Sequence, residues 1–338
     1  MPRSLANSKR SSRDFDLSAQ WSPEEMRELL QSQAPPVADG PVARARTGLI
    51  SRMLFKHEYL RGYGLLAPAL IVTGLTVLVP CALLVTLSFW TQVGYDYDTT
   101  LTLQNYRTAY EKPIYGALLE RSLWISGIAT IVTVLLCYPM AYYVAFHVHR
   151  HKMIWIILIT VPFWTSYLLR VFAWKVILGY EGVINSGLMH LGLITEPLRF
   201  LLYSNTAVSI TLAHSWAAFA LLPIYVSLEK IDKSYLEAAA DLGDGPVLRF
   251  LRITLPLSLP GVIASVFLMF IPTLGDYVTP AMVGGPDSTM IGTLIQLQFG
   301  SVNNWPMGAA LSVVLVIVIC VLGLCSYGLT KAFRRWAV

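Results

Sequence analysis

Apolar runs separated by short polar stretches fill the chain from residue 64 onward, and six of them are long enough to cross a membrane. A helix rises about 1.5 Å per residue, so about 20 mainly apolar residues span the hydrocarbon core. The runs at 64–90, 122–146, 153–179, 205–228, 258–279 and 307–330 reach that length. Pro68, Pro80, Pro162, Pro223 and Pro272 fall inside them. Membrane helices tolerate such residues because neighbouring groups re-satisfy the freed backbone. The pattern predicts an all-α integral membrane protein with six transmembrane helices.

Composition agrees. Of 338 residues, 55% are hydrophobic and 13% charged, against roughly 25% charged in soluble domains. Cys81, Cys137, Cys320 and Cys325 all sit in apolar runs, without metal-ligand spacing or a disulfide framework. Residues 1–62 read as a polar tail ahead of a spanning domain at 63–338. A polar start at residue 1 is not the pattern of a cleavable secretion signal. Within the tail, Ser22 as cap, Pro23 at the first helical position and Glu25 completing a capping box predict one short helix, with Met26, Leu29 and Leu30 as its apolar stripe.

Charge sets an expected orientation. With the tail inside, fourteen Lys and Arg from Arg44 to Arg335 flank the inner ends of the spans, against Arg107, Lys112 and Arg199 on the opposite side. The positive-inside rule then places both termini in the cytoplasm. It also explains the net charge of +5 without nucleic acid. The polar insert at 229–257 falls on the same cytoplasmic side.

That insert contains EAAADLGDGPVLRFLRITLP, residues 237–256. Glu, Ala and Leu favour helix. Gly243 and Gly245–Pro246 interrupt it. Two short helices at an angle are expected, the second covering about 247–254 and ending at Pro256. Leu236, Ala239, Ala240 and Gly243 form a small ridge at helical spacing, and Arg249, Phe250 and Arg252 supply charge and an anchor.

The order Glu237-Ala238-Ala239, three residues, Gly243, nine residues, Ile253-Thr254-Leu255-Pro256 resembles the EAA loop of binding-protein-dependent ABC importer permeases. Asp244 departs from the usual Ala. The resemblance implies a type I ABC importer permease with a cytoplasmic coupling helix that docks on an ATPase subunit. Glu237, Ala238, Ala239, Asp241, Gly243, Arg249 and Pro256 would serve that contact. It further implies partners: a dimer of ATPase subunits that bind ATP and Mg, a second permease subunit, and a periplasmic substrate-binding protein meeting the loops at 92–119 and 280–305. No G-x-x-x-x-G-K-[ST] occurs in the chain, so no P-loop and no catalytic role or cofactor of its own is expected.

Pro162-Phe163-Trp164-Thr165-Ser166, Leu169-Arg170, Leu228–Lys233, Gly284–Ser288 and Asn304-Trp305-Pro306 resemble the polyamine (spermidine/putrescine) branch, whose relatives also import opines and other small amines. A cationic substrate needs carboxylates and aromatic faces. Asp276 is the one acidic residue well inside an expected span, beside Tyr277, and either lines the path or partners Arg170 or Lys175. Trp164 and Tyr167 offer ring faces or packing. Glu181 and Glu120 lie at outer span ends. Arg170 and Lys175 argue instead for a carboxylate-bearing substrate such as an opine or a γ-amino acid. An ion-coupled secondary transporter is the alternative of another class; it predicts coupling carboxylates and inverted repeats, and no repeat is evident.

Overall fold

A computed structural model describes residue 24 and residues 58–336. The expected tail helix lies outside the described residues, apart from Glu24, which is helical. Two units are distinguished. The first, Met1–Val72, contributes the opening turns of helix α1 (Glu58–Ser88), ahead of the expected boundary at 63. The second, Thr73–Val338, holds every other element named below.

After α1 come a β-hairpin, β1 (Thr91–Val93) and β2 (Asp96–Asp98), and then helices α2 (Gln104–Glu111), α3 (Pro113–Phe146), α4 (Lys152–Thr160), α5 (Tyr167–Ile177), α6 (Val183–His190) and α7 (Asn205–Glu229). Helix α8 (Lys233–Asp241) occupies the polar insert. Helix α9 (Pro246–Leu274), α10 (Val278–Val283), α11 (Ile291–Phe299) and α12 (Trp305–Trp336) complete the chain. The hairpin pairs Val93 with Asp96. Gly94 takes φ 63° at the first turn position, where a side chain would be strained.

Among the described residues, five helices are long and apolar enough to cross a membrane, or six if one bent pair counts as a single span. The expected third span at 153–179 is that pair. Lys152–Trp164 and Tyr167–Ile177 meet at 87°. Pro162 lacks an amide donor, and Thr165 and Ser166 adopt extended backbone. The second span begins at Pro113, not 122, because Pro113 starts a helix well and nothing interrupts it before Phe146.

Helix α7 packs against both α3 and α9. The core they enclose includes Ile125, Ala129, Leu212, Ile224, Leu228 and Met269. Small and hydroxyl residues let the helices close up. Thr133 Oγ1 bonds Ala129 O at 2.7 Å in its own helix and Ala213 O of α7 at 3.3 Å. A second cluster of Leu118, Leu274, Ile291 and Leu315 joins α3, α9, α11 and α12. There Ser122 Oγ accepts the Ile291 amide at 2.7 Å and donates to Leu118 O. Asn105 fastens α2 to the chain before it, donating to Ser88 O and Trp90 O.

Helices α7 and α9 approach closely at Gly261. A Cβ there would collide with Ser227 Oγ and the Pro223 carbonyl. Small residues permit such contacts in membrane bundles. Gly261→Leu should cost about 1–3 kcal/mol by overpacking, read as a lower unfolding temperature of the detergent-solubilised protein, whereas Gly116→Leu, with open space at its Cβ, should change it little.

Candidate functional site

The polar insert folds as expected at its first turn and differently at its second. Asp232 caps α8, its Oδ1 accepting the Ser234 amide at 2.9 Å. That backbone bond holds its pKa below the usual carboxylate value. At the other end, Gly243 N–H bonds Ala240 O and Asp244 N–H bonds Ala239 O, each at 2.9 Å. This pair of bonds is a Schellman ending, and it requires the left-handed φ of 89° that Gly243 adopts. Arg252 Nη1 meets Asp244 Oδ1 at 2.9 Å and ties the turn to α9.

Pro256 does not end the second piece. Helix α9 runs on from Pro246 to Leu274, so the fifth span starts inside the insert and stops short of the expected 279. A wide turn at Phe250–Thr254, closed by Leu255 N–H to Phe250 O, absorbs the amide that Pro256 lacks. The Phe250 ring lies against Tyr138 and Tyr142 of α3, centroids 5.8 and 6.1 Å away. Tyr138 and Ser258 share a 2.8 Å hydrogen bond. Phe250 is therefore an anchor, as expected.

The expected ridge is split. Ala239 turns inward and is buried, while Glu237, Ala238, Ala240, Asp241 and Gly243 are exposed. Leu242 is 88% exposed, with Tyr235 and Val247 also open. A hollow of about 400 Å³ opens between α8 and the end of α3, lined by Phe146, His147, Lys233, Glu237, Asp241 and Arg249 among others. Nearby, Lys152 Nζ bonds both Glu229 carboxylate oxygens at 2.9 Å and Ala145 O at 2.8 Å. One ammonium thus joins the adjacent ends of α3, α4 and α7, a contact that sequence spacing gave no means of finding.

The substrate candidates scatter. Asp276 lies outside any helix, in the break between α9 and α10. It is 8% exposed. One carboxylate oxygen accepts the Val278 amide at 2.9 Å; the other accepts Thr279 Oγ1 at 2.6 Å and the Tyr167 hydroxyl. Neither Arg170 nor Lys175 is its partner. The carboxylate is saturated by groups that start α10 and hold α5.

Arg170 is likewise committed. Its guanidinium donates to Ser215 O at 2.8 Å and to Phe163 O and Thr165 O at 3.3 Å, and it lies over the rings of Phe163 and Tyr167. It caps carbonyls released where the third span breaks. Tyr167 packs on Trp216. Trp164 is 83% exposed at the break. Glu181 is exposed in the turn between α5 and α6. Tyr277 lines a separate hollow with Gln296 and Phe299. The structure thus brings together Asp276, Tyr167 and Arg170 as one supporting network and leaves Trp164, Glu181 and Tyr277 apart.

The described residues thus form an apolar bundle with a broken third span and a helical insert between its fourth and fifth spans. The family model described as "Binding-protein-dependent transport system inner membrane component" matches residues 114–337. The chain belongs to that family, the integral membrane permease subunits of bacterial ABC importers, which transport and do not catalyse. It is 35% identical over 260 residues to the spermidine/putrescine transport system permease protein PotB of Haemophilus influenzae, covering 77% of this chain and 90% of that one. To PotB of Escherichia coli it is 37% identical over 245 residues, 72% and 88% of the two chains. The fold resembles a chain in the structure of a bacterial alginate ABC transporter in complex with an alginate pentasaccharide-bound periplasmic protein, with TM-score 0.65, 15% identity, and 83% and 97% of the two chains covered.

Two outcomes follow. Asp276→Ala should leave the Tyr167 and Thr279 hydroxyls and the Val278 amide without their acceptor and destabilise the bundle by about 2–4 kcal/mol, while Asp276→Asn should retain part of it; thermal unfolding of both variants checks this. Because the Asp232 pKa is depressed, its cap is intact at neutral pH and is lost as pH falls through that lowered value. Asp232→Ala should therefore speed amide exchange at 233–236 at neutral pH, and Asp232→Asn, a good cap, should not.

Proposed function

We propose that this permease imports small amines, with polyamines such as spermidine and putrescine as its substrates, and that α8 transmits the motion of a separate ATPase. The observation that carries the substrate is the 35–37% identity to two spermidine/putrescine permeases over most of the chain. Both termini and α8 face the cytoplasm in this reading, in line with the Lys and Arg distribution. ATP and Mg are held by two copies of a partner ATPase. A second, related permease completes the pathway, and a periplasmic binding protein delivers substrate to the side bearing the hairpin and α10–α11.

The coupling role rests on the shape of the insert. Leu242, Tyr235 and Val247 offer exposed apolar contacts around a rigid turn, and the hollow beside Glu237 and Asp241 is a receptor for a protruding side chain of the ATPase. Helix α9 begins within the insert, so displacement of α8 is carried directly into the fifth span. Differential affinity of nucleotide for the closed ATPase dimer drives the switch. Arg170, one of the two residues that favoured a carboxylate-bearing substrate, is engaged with three backbone carbonyls, which leaves Lys175 alone to argue for an opine or γ-amino acid.

Calorimetry of the cognate binding protein with putrescine, spermidine, γ-aminobutyrate and an opine tests the substrate. Tight binding of polyamine supports it, and binding of only carboxylate-bearing ligands overturns it. Gly243→Asp should abolish transport with normal membrane insertion, since φ 89° strains any side chain and a new charge enters the contact. Normal uptake by that variant would refute the coupling role.

A further inference from the structure

Two hollows lie along one seam between α3 and α7, of about 590 and 510 Å³. They share Val132, Ile210 and Ala213 and so form a continuous groove. On α3 its lining runs from Ala117 to Met140; at 1.5 Å per residue that is about 35 Å, close to the full thickness of the hydrocarbon core.

Its chemistry changes along its length. The end near the start of both helices carries Glu120 and, one turn further, Trp124, with Asn205 and Ser209 opposite. Among the described residues, Glu120 has no hydrogen bond or ion pair; the three ion pairs are elsewhere. The Trp124 ring is 66% exposed. Arg121, its cationic neighbour, donates at 3.5 Å to Pro286 O of the loop before α11. Beyond this mouth the floor is apolar, through Ile128, Val132 and Ala213. It then passes Phe163 and Trp174, the first tilted against His214 and the second edge-on to it, where the broken third span crosses the seam.

We propose that this groove is this subunit's wall of the substrate path and that Glu120 and Trp124 receive one ammonium end of a linear amine, with its methylene chain along the apolar floor. The assignment rests on the amine-import reading above and says where on this chain the amine is held. A free carboxylate one helical turn from an open indole face selects a cation, since both attract positive charge and neither favours an anion. The apolar floor selects against a compact, fully hydrated ion such as K⁺, which gains nothing from it. The other candidates expected from sequence lie outside the groove: the Asp276 carboxylate is saturated, Trp164 is exposed at the break, and Glu181 is exposed in the turn between α5 and α6.

The test uses the permease–ATPase assembly in phosphatidylcholine nanodiscs, with Cys81, Cys137, Cys320 and Cys325 replaced by alanine and a single Ser209→Cys placed in the mouth. Labelling by a neutral maleimide is timed with and without spermidine or putrescine. Either amine should slow labelling severalfold, γ-aminobutyrate much less, and Glu120→Gln or Trp124→Leu on the same background should remove the protection. Glu196→Gln, an exposed carboxylate away from the groove, should keep it. Equal protection in the Glu120→Gln variant, or none in the parent, overturns the assignment. So does a Ser209→Cys that resists labelling without ligand, which would make the seam a contact with the second permease. Protection that requires added phosphatidylethanolamine, rather than soluble amine, would make it a lipid site. Uptake of spermidine by the unsubstituted assembly, measured in parallel with its binding protein, separates the two claims. Uptake without protection refutes the groove alone, and absence of any amine uptake refutes the substrate reading itself.

Discussion

A backbone amide or carbonyl with no partner in an apolar surround costs several kcal/mol, and the functional breaks in this bundle are built around that cost. At two of these breaks a dedicated side chain supplies the missing partner, and at a third the backbone itself does. At the break of the third span, the Arg170 guanidinium collects three carbonyls, two from the break and one from α7. Where α9 gives way to α10, the Asp276 carboxylate accepts the Val278 amide. At the Pro256 amide gap, the chain widens its turn so that Leu255 reaches back to Phe250. Charged residues in the bundle are thus explained first as substitutes for missing backbone partners.

The same constraint separates support from substrate contact. A carboxylate with three donors has little left to offer a ligand, whereas Glu120, with none among the described residues, retains its full capacity. Burial and charge alone single out Asp276, but they do not count its partners. The Tyr167–Asp276–Thr279 group instead holds α5 to the α10 junction. This keeps the bent third span fixed across the α3–α7 seam, where it shapes the lower part of the groove.

On the opposite side of the bundle, the polar insert is held rigidly. Helix α8 ends in a turn that only a residue free to adopt positive φ enters without strain, and Arg252–Asp244 and the Phe250–Tyr138–Tyr142 contacts fasten that turn to α9 and α3. The Lys152–Glu229 pair and the Ala145 carbonyl join the adjacent ends of α3, α4 and α7 beside it. An exposed ion pair is worth little by itself. Here it acts with the aromatic packing, so α8 is fastened to several spans instead of lying in a loose loop.

Sequence by itself determined the helical membrane class, the approximate position of the long apolar helices, the turn at Gly243 and the family. These follow from local quantities: apolar run length, the conformational range of glycine, and fixed spacing within one segment. Tertiary structure decided what the isolated charges do. Whether Asp276 meets Arg170 or Tyr167 depends on the 87° bend between α4 and α5, and Pro162 predicts a disturbance there without its direction. Pro256 shows the converse, because a proline that locally signals an end is carried through by a widened turn packed against α3. The groove between α3 and α7 is not legible in either helix alone, since it is a property of their separation.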